Sequence, residues 1–436
     1  MSAELSVEST AHHWTEKSSV LWGVIGLCVL FAASRAFIVD DAFISLRYAE
    51  NFAQGFGLVF NQGEWTEGYT NFSWTLLLSV PFLIGLDPIL FTLTLSLAFF
   101  TLSLALMHRI TKSLFADGRV RLLCIVALGF GQTYSAYGTS GLETQMNAAL
   151  TLWLISLAIA PSLNPRGCVT VSVAGALAVL TRPDSALIVG FWGLWILWTH
   201  RGEPDFKRRI VPLLVPGAFI LGLWLAFKLN VYGELLPNTY YAKVGGSQDL
   251  SWGIDYILAF SLATGLLPLA LLAPIWRPSD TGPGAEKRRA NMRGLWAFGL
   301  FWSLYVISVG GDFMEYRFMV CVIPVFILVI VESLKQHVMA AFLIVGTLVG
   351  WSHAAPLSLT HRAGIEDIDM LASHLFIPVQ DWEGVGKVLA SDLPAGSDVL
   401  IATTAAGAIP FHSKLPTLDM LGLTDSQVAR EGVLFE

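Results

Sequence analysis

The sequence predicts a polytopic α-helical membrane protein, with about eleven transmembrane helices of about 20 residues each and a small extracytoplasmic α/β module at its C-terminus. Three observations predict it. The chain is 54% hydrophobic and 14% charged, with a mean hydropathy of +0.63, whereas soluble domains carry roughly 25% charged residues. Long apolar runs recur from residue 20 to residue 353. After residue 353 the character changes, with charged residues interleaved among short amphipathic segments.

In chain order, the apolar runs lie near 20–38, 88–108, 120–138, 144–160, 168–181, 184–200, 210–230, 252–276, 293–310, 318–334 and 337–353. The first resembles a signal-peptide core, and Ser34-Arg35-Ala36 resembles a cleavage site. The run continues to Val39, however, at a length suited to a spanning helix. A further apolar stretch, 72–86, precedes Asp87-Pro88. Basic residues cluster at Arg109, Lys112, Arg119 and Arg121, at Arg201, Lys207, Arg208 and Arg209, and at Arg277, Lys287, Arg288, Arg289 and Arg293. All three clusters share the side of the N-terminus only if 72–86 does not fully cross, so that stretch is expected to be short, tilted or re-entrant. The positive-inside rule then makes that side cytoplasmic.

This topology places residues 1–353 as the membrane domain, with a first extracytoplasmic loop at 39–71. The tail, 354–436, lies outside as an α/β module with a helix near 381–391, a turn at Pro394-Ala395-Gly396 and a β-rich run at Asp398-Val399-Leu400-Ile401-Ala402. The chain stops at Glu436 without a closing element, so the module is expected to be incomplete. Nearly every unusual polar motif falls on the outer face, as an active site facing the cell exterior requires.

Foremost is the pair Asp40-Asp41, which follows the first apolar run directly. Charge beside hydrocarbon is costly and marks function. Adjacent residues diverge by about 100° on a helix, so the two have different tasks: one can act as general base on an acceptor hydroxyl, and the other can orient substrate or hold a divalent cation. The competing reading is helix capping, which is unfavourable for aspartate at a helix C-terminus. Asp40, first off the helix and nearer the membrane, is preferred for the acceptor. Tyr240, Tyr241 and Lys243 are either an aromatic belt with a snorkelling lysine or a cation for a lipid-linked phosphate. Asp312 and Arg317, after Gly310-Gly311, either pair with each other or free the guanidinium for bidentate phosphate binding. Arg182 with Asp184, and Glu143, pose the same choice, with a structural Arg182–Asp184 pair favoured.

Several classes are set aside. The four cysteines, Cys28, Cys124, Cys168 and Cys321, lie in apolar runs and read as small buried hydrophobes. His108, His200, His337 and His353 lack metal-ligand spacing, and no histidine metal site is proposed. No nucleotide-binding or nucleophile-elbow fingerprint stands out, and no charged tail suggests nucleic acid.

The segment Asp40-Asp41-Ala-Phe-Ile-Ser-Leu-Arg47-Tyr48, then Gly55-Phe-Gly57, then Glu67-Gly68-Tyr69-Thr70-Asn71-Phe-Ser-Trp74, resembles the first extracytoplasmic loop of GT-C fold glycosyltransferases. The resemblance is to the group containing the mycobacterial terminal β-(1→2) arabinofuranosyltransferase. It continues through Gly141–Thr144, Thr181–Asp184, Gly233–Lys243, Gly310–Arg317 and Leu418–Asp425, covering almost the whole chain in order. It implies a bacterial inner-membrane enzyme that moves a sugar from a polyprenyl-phosphate donor to an extracytoplasmic glycan or lipid acceptor. By the same resemblance Asp40 or Asp41 is the catalytic carboxylate, and Lys243 and Arg317 meet the donor phosphate. Arg47, Tyr48, Glu67, Tyr69, Asn71, Glu143, Arg182, Tyr240 and Asp312 are expected to frame the substrates. A transporter or lipid flippase would instead show paired repeats and broken helices at the midplane, and a non-catalytic scaffold would tolerate loss of both aspartates.

Overall fold

The computed structural model describes residues 18–431, apart from 161, 204, 245–249, 277–283, 356–363, 378, 394–396 and 398. Each of the eleven apolar runs coincides with helix. The helices are Ser18–Ser34, Pro88–Leu114, Gly118–Phe130, Thr144–Ala158, Pro165–Thr181, Ser185–His200, Phe206–Tyr232, Leu250–Thr264 with Leu266–Leu272, Ala285–Ser308, Ile323–Leu334 and Val338–Ala354. Their starts follow local chemistry. The Asp87 carboxylate accepts the Leu90 N–H at 2.6 Å ahead of Pro88, and Asn164 accepts that of Gly167 ahead of Pro165. In each case a side chain satisfies an orphan donor, and proline occupies a position where no N–H is needed.

Length and composition alone qualify two helices, Pro88–Leu114 and Phe206–Tyr232, to cross a membrane. A third candidate covers the 252–276 run, where Leu250–Thr264 and the following segment meet at 88°. Gly265 sits at that break in the left-handed region. Five more apolar helices, Ser18–Ser34, Pro165–Thr181, Ser185–His200, Ile323–Leu334 and Val338–Ala354, are shorter, and together they make a multi-pass helical membrane protein. The 72–86 stretch forms two short helices, Phe72–Leu78 and Val80–Ile84. At 1.5 Å per residue the pair rises about 20 Å, short of the roughly 30 Å hydrocarbon core.

Thr144–Ala158 is buried at every position but Trp153, packed among Pro88–Leu114, Pro165–Thr181 and Ser185–His200, and forms the centre of the bundle. At one end of the bundle lies the helix Asp40–Ala53, which is amphipathic and polar overall. It runs outside the spanning segments and is covered by the C-terminal part of the chain. There the helix Trp382–Asp392 precedes strand β1 (Ile401–Thr403), a short helix Ala408–Ser413 and strand β2 (Thr417–Asp419). The strands pair in parallel, with Ile401 opposite Thr417 and Thr403 opposite Asp419. The expected turn at 394–396 and Asp398 lie outside the described residues.

Candidate active site

Asp40 and Asp41 do not end the first membrane helix. Residues 35–39 intervene, and the pair forms the first turn of Asp40–Ala53, where the helix dipole favours acids. The earlier objection to capping therefore does not hold. Gly141 allows the chain to pass close by: its φ is +81°, and a Cβ there would lie 2.7 Å from Ile38 and 2.9 Å from Ala42. The Val39 N–H donates to the Ser140 carbonyl at 3.1 Å. This contact sets Glu143, three residues after Ser140, beside the aspartate-bearing turn.

The helix then sends its two carboxylates in different directions. Asp40 faces the C-terminal segment, accepting the Gly407 N–H at 3.1 Å and the Ala408 N–H at 2.7 Å. A Cβ on Gly407 would fall 2.0 Å from the Asp40 carbonyl oxygen, so only glycine fits there. Asp41 faces a cavity of about 660 Å³. The preference for Asp40 as the residue meeting the acceptor is thus reversed by geometry. Among the described residues, no group of three or more His, Cys, Asp or Glu is placed to hold a metal ion.

Burial pushes the Asp40 carboxyl up to about 7, against the pull of its two backbone donors. A carboxyl whose folded pKa lies above its unfolded value stabilises the fold fully below the unfolded value, and that contribution is lost as pH rises to the folded value. Wild-type melting temperature should therefore fall relative to that of Asp40→Asn between about pH 4 and pH 7. Parallel melting curves across that window would refute the assignment.

Around Asp41 the cavity collects most of the expected polar residues: Tyr69, Asn71, Glu143, Arg182, Tyr240, Lys243, Asp312 and Arg317. Arg182 bridges Asp184 at 2.7 Å and Glu143 at 3.1 Å, so the favoured structural pair is present and has a second acid. Asn71 donates to Glu143 at 3.0 Å, joining the first loop to this network. Arg317 donates through Nε to Asp312 at 2.6 Å, and among the described residues its two Nη groups make no hydrogen bond. Lys243, at the cavity rim, has no ion-pair partner among the described residues. Burial raises the Asp41 carboxyl above its ordinary range, with Arg317 and then Lys243 pulling it back.

Three expected site residues lie elsewhere. Arg47 is buried, and its guanidinium donates to the carbonyls of Phe60 (2.7 Å), Leu415 (2.8 Å) and Pro410 and to Asn61 Oδ1 (3.1 Å). It ties the first loop to the C-terminal segment, because a five-donor fork matches clustered carbonyls as readily as a phosphate. The Tyr48 hydroxyl donates to the Thr66 carbonyl at 2.8 Å and accepts the Gly68 N–H at 2.9 Å, fixing the turn that leads to Tyr69. Glu67 forms a buried ion pair with Lys228 at 2.6 Å. Sequence reasoning missed Lys228, although a lone cation inside the 210–230 apolar run calls for a partner. It also missed Asn238, whose side-chain partners lie in the distant 422–425 segment.

Residues 376–435 match a family described as a domain of unknown function (DUF8728). Over 348 residues the chain is 30% identical to the terminal β-(1→2)-arabinofuranosyltransferase of Mycobacterium tuberculosis, covering 71% of this chain and 54% of the relative. The Corynebacterium glutamicum protein of the same name is 27% identical over 395 residues, covering 81% and 54% respectively. The chain spans about half the length of the curated relatives it matches. Among solved structures, ArnT from Cupriavidus metallidurans bound to undecaprenyl phosphate superposes with a TM-score of 0.59 at 12% identity, covering 92% of this chain and 85% of that one. The arabinofuranosyltransferase AftD from Mycobacteria gives 0.55 at 14% identity, covering 93% and 32%.

Proposed function

We propose that this chain, which has the fold of the GT-C glycosyltransferases and is homologous to terminal arabinofuranosyltransferases, transfers a sugar from a polyprenyl-phosphate donor to an extracytoplasmic glycan or lipid acceptor. The relatives' names favour arabinofuranose. The chain sits in the bacterial inner membrane with about eleven crossings, the N-terminus cytoplasmic and the site and C-terminal segment outside. The observation that carries the reading is the cavity in which one carboxylate, Asp41, faces Arg317 and Lys243.

Asp41 takes the acceptor hydroxyl's proton as the acceptor oxygen bonds to the anomeric carbon. The bond from that carbon to the phosphate oxygen breaks, and polyprenyl phosphate leaves with the electron pair. Arg317 and Lys243 stabilise the second negative charge that appears on the departing phosphate. Fixed cations in a partly dry site do this more effectively than water. The Glu143–Arg182–Asp184 network, anchored to Asn71, holds the walls so that donor and acceptor meet in one geometry. The prenyl chain remains among lipids while its head group reaches the outer site.

The test is transfer by purified protein from a synthetic polyprenyl-phosphate arabinofuranose to an arabinan acceptor. Arg317→Lys, which keeps charge but loses the planar fork, should lower kcat/KM by about 10–100-fold, and wild-type rates in this variant would remove Arg317 from the phosphate. Orientation has a separate test. With the four buried native cysteines replaced, Asp205→Cys should react with a membrane-impermeant maleimide only after the membrane is opened. Labelling from outside would invert the topology.

A further inference from the structure

We propose that Asn238 is a positioning residue that locks the Lys243-bearing helix to the 419–425 turn, so that Lys243 is presented to the cavity in a fixed place. This rests on reading the cavity as the donor site. Asn238 begins the helix Asn238–Val244 and is buried. Residues opening a helix usually accept a backbone N–H, but Asn238 acts as a donor to other segments. Its Nδ2 reaches the carbonyl oxygens of Gly422 at 2.7 Å, Leu423 at 3.1 Å and Asp425 at 3.0 Å. Its backbone N–H donates to the Glu67 carbonyl at 2.9 Å. One residue, through its backbone N–H and its side-chain amide, thus gathers the first loop, the donor-side helix and the C-terminal segment.

The three carbonyls converge because of Asp419. That carboxylate is fully buried and accepts the N–H groups of Leu421 at 2.9 Å and Thr424 at 2.8 Å, with the Thr424 hydroxyl at 3.2 Å. The Met420 N–H donates to the Thr403 carbonyl at 3.0 Å, which holds the turn to strand β1. Leu423, from the turn, and Tyr240 and Lys243, from the helix, line the same cavity. The motif at 418–425 is therefore a folded set of acceptors for Asn238, and the pairing fixes one wall of the site relative to the other. Two hydrogens serve three carbonyls, so the role requires a donor at this position and excludes aspartate, although aspartate has nearly the same shape.

The experiment measures donor KM and kcat for Asn238→Ala, Lys243→Gln and the double variant in the full chain. Lys243→Gln should lower kcat/KM for the donor on the order of tenfold with part of the loss in kcat, because Lys243 meets charge that appears in the transition state, and Asn238→Ala should shift kcat and KM in the same directions by no more than that. The double variant should be no worse than Lys243→Gln alone, since Asn238 acts through Lys243. Asn238→Asp should be more impaired than Asn238→Ala. Multiplying effects, or a wild-type Asn238→Asp, would overturn the proposal. Hydrogen–deuterium exchange gives a readout independent of activity: Asn238→Ala should speed exchange in 238–244 and 419–425 together. Unchanged exchange in 419–425 overturns the lock, whereas faster exchange in a protein that transfers nothing would count against the donor site instead. Asn238→Ser, which keeps one donor, is the milder variant if the alanine form is not recovered folded.

Discussion

Asp41→Asn should lower transfer about 10²–10⁴-fold, the usual worth of a general base, while Asp40→Asn should retain activity within about tenfold. The contrast follows from where one helical turn sends two adjacent side chains. Asp41 opens onto the cavity with Arg317 and Lys243, and an amide there cannot accept the acceptor's proton. The Asp40 oxygens are held by the Gly407 and Ala408 N–H groups. An asparagine at position 40 keeps an oxygen for one of them, so its effect should be on docking of the C-terminal segment. The pH profile adds a second check. Burial raises the Asp41 carboxyl above its usual range, and a base works only when ionised. Rate should therefore rise with pH through that raised value and level off above it. Full activity in Asp41→Asn with loss in Asp40→Asn would reverse the assignment.

Much of this architecture was legible before any coordinates. Hydrophobic runs found all eleven helical segments, because a spanning helix is specified by composition over a long window. The charge clusters set 72–86 apart from the expected crossings. The cavity was legible in outline, since Asp41, Glu143, Arg182, Lys243, Asp312 and Arg317 stand out as charges near apolar sequence. Direction was not legible. Whether Asp40 or Asp41 faces the cavity depends on the helical phase set by Val39 and on Gly407, about 370 residues away. Arg47 and Tyr48 lie in the most distinctive motif, yet they hold backbone carbonyls and a turn. Their partners at Pro410, Leu415 and Thr66 leave no local mark in sequence. A motif can thus encode the scaffold of a site as strongly as its chemistry.

Lys228→Met should destabilise the protein by about 3–5 kcal/mol, the cost of leaving one member of a buried ion pair without its partner. Lys228 Nζ lies 2.6 Å from Glu67 Oε2, and the two side chains are 2% and 4% exposed. The lysine also sits 5.2 Å from the Trp224 ring centroid, so methionine keeps the apolar contact while removing the charge. Glu67 is already displaced upward by burial, with Lys228 opposing. Without that opposition the carboxyl should take up a proton more readily. The variant's deficit should therefore shrink as pH falls, because protonation removes the uncompensated charge. Replacing both residues, as in Lys228→Met with Glu67→Leu, should recover most of the loss, since apolar groups of similar volume often match a buried pair. The measurement is thermal denaturation of purified protein at several pH values. A single variant as stable as wild type would show the pair to be solvated. A double variant no better than Lys228→Met would show that Glu67 holds the fold by other contacts. The location sharpens the stakes: the Glu67 carbonyl anchors the Asn238 N–H, and the neighbouring Tyr69 hydroxyl meets that of Tyr232 at 3.0 Å. Loss of the ion pair should thus loosen the cavity wall that carries Tyr69 before the bundle itself unfolds, and transfer should decline at temperatures below the global melt.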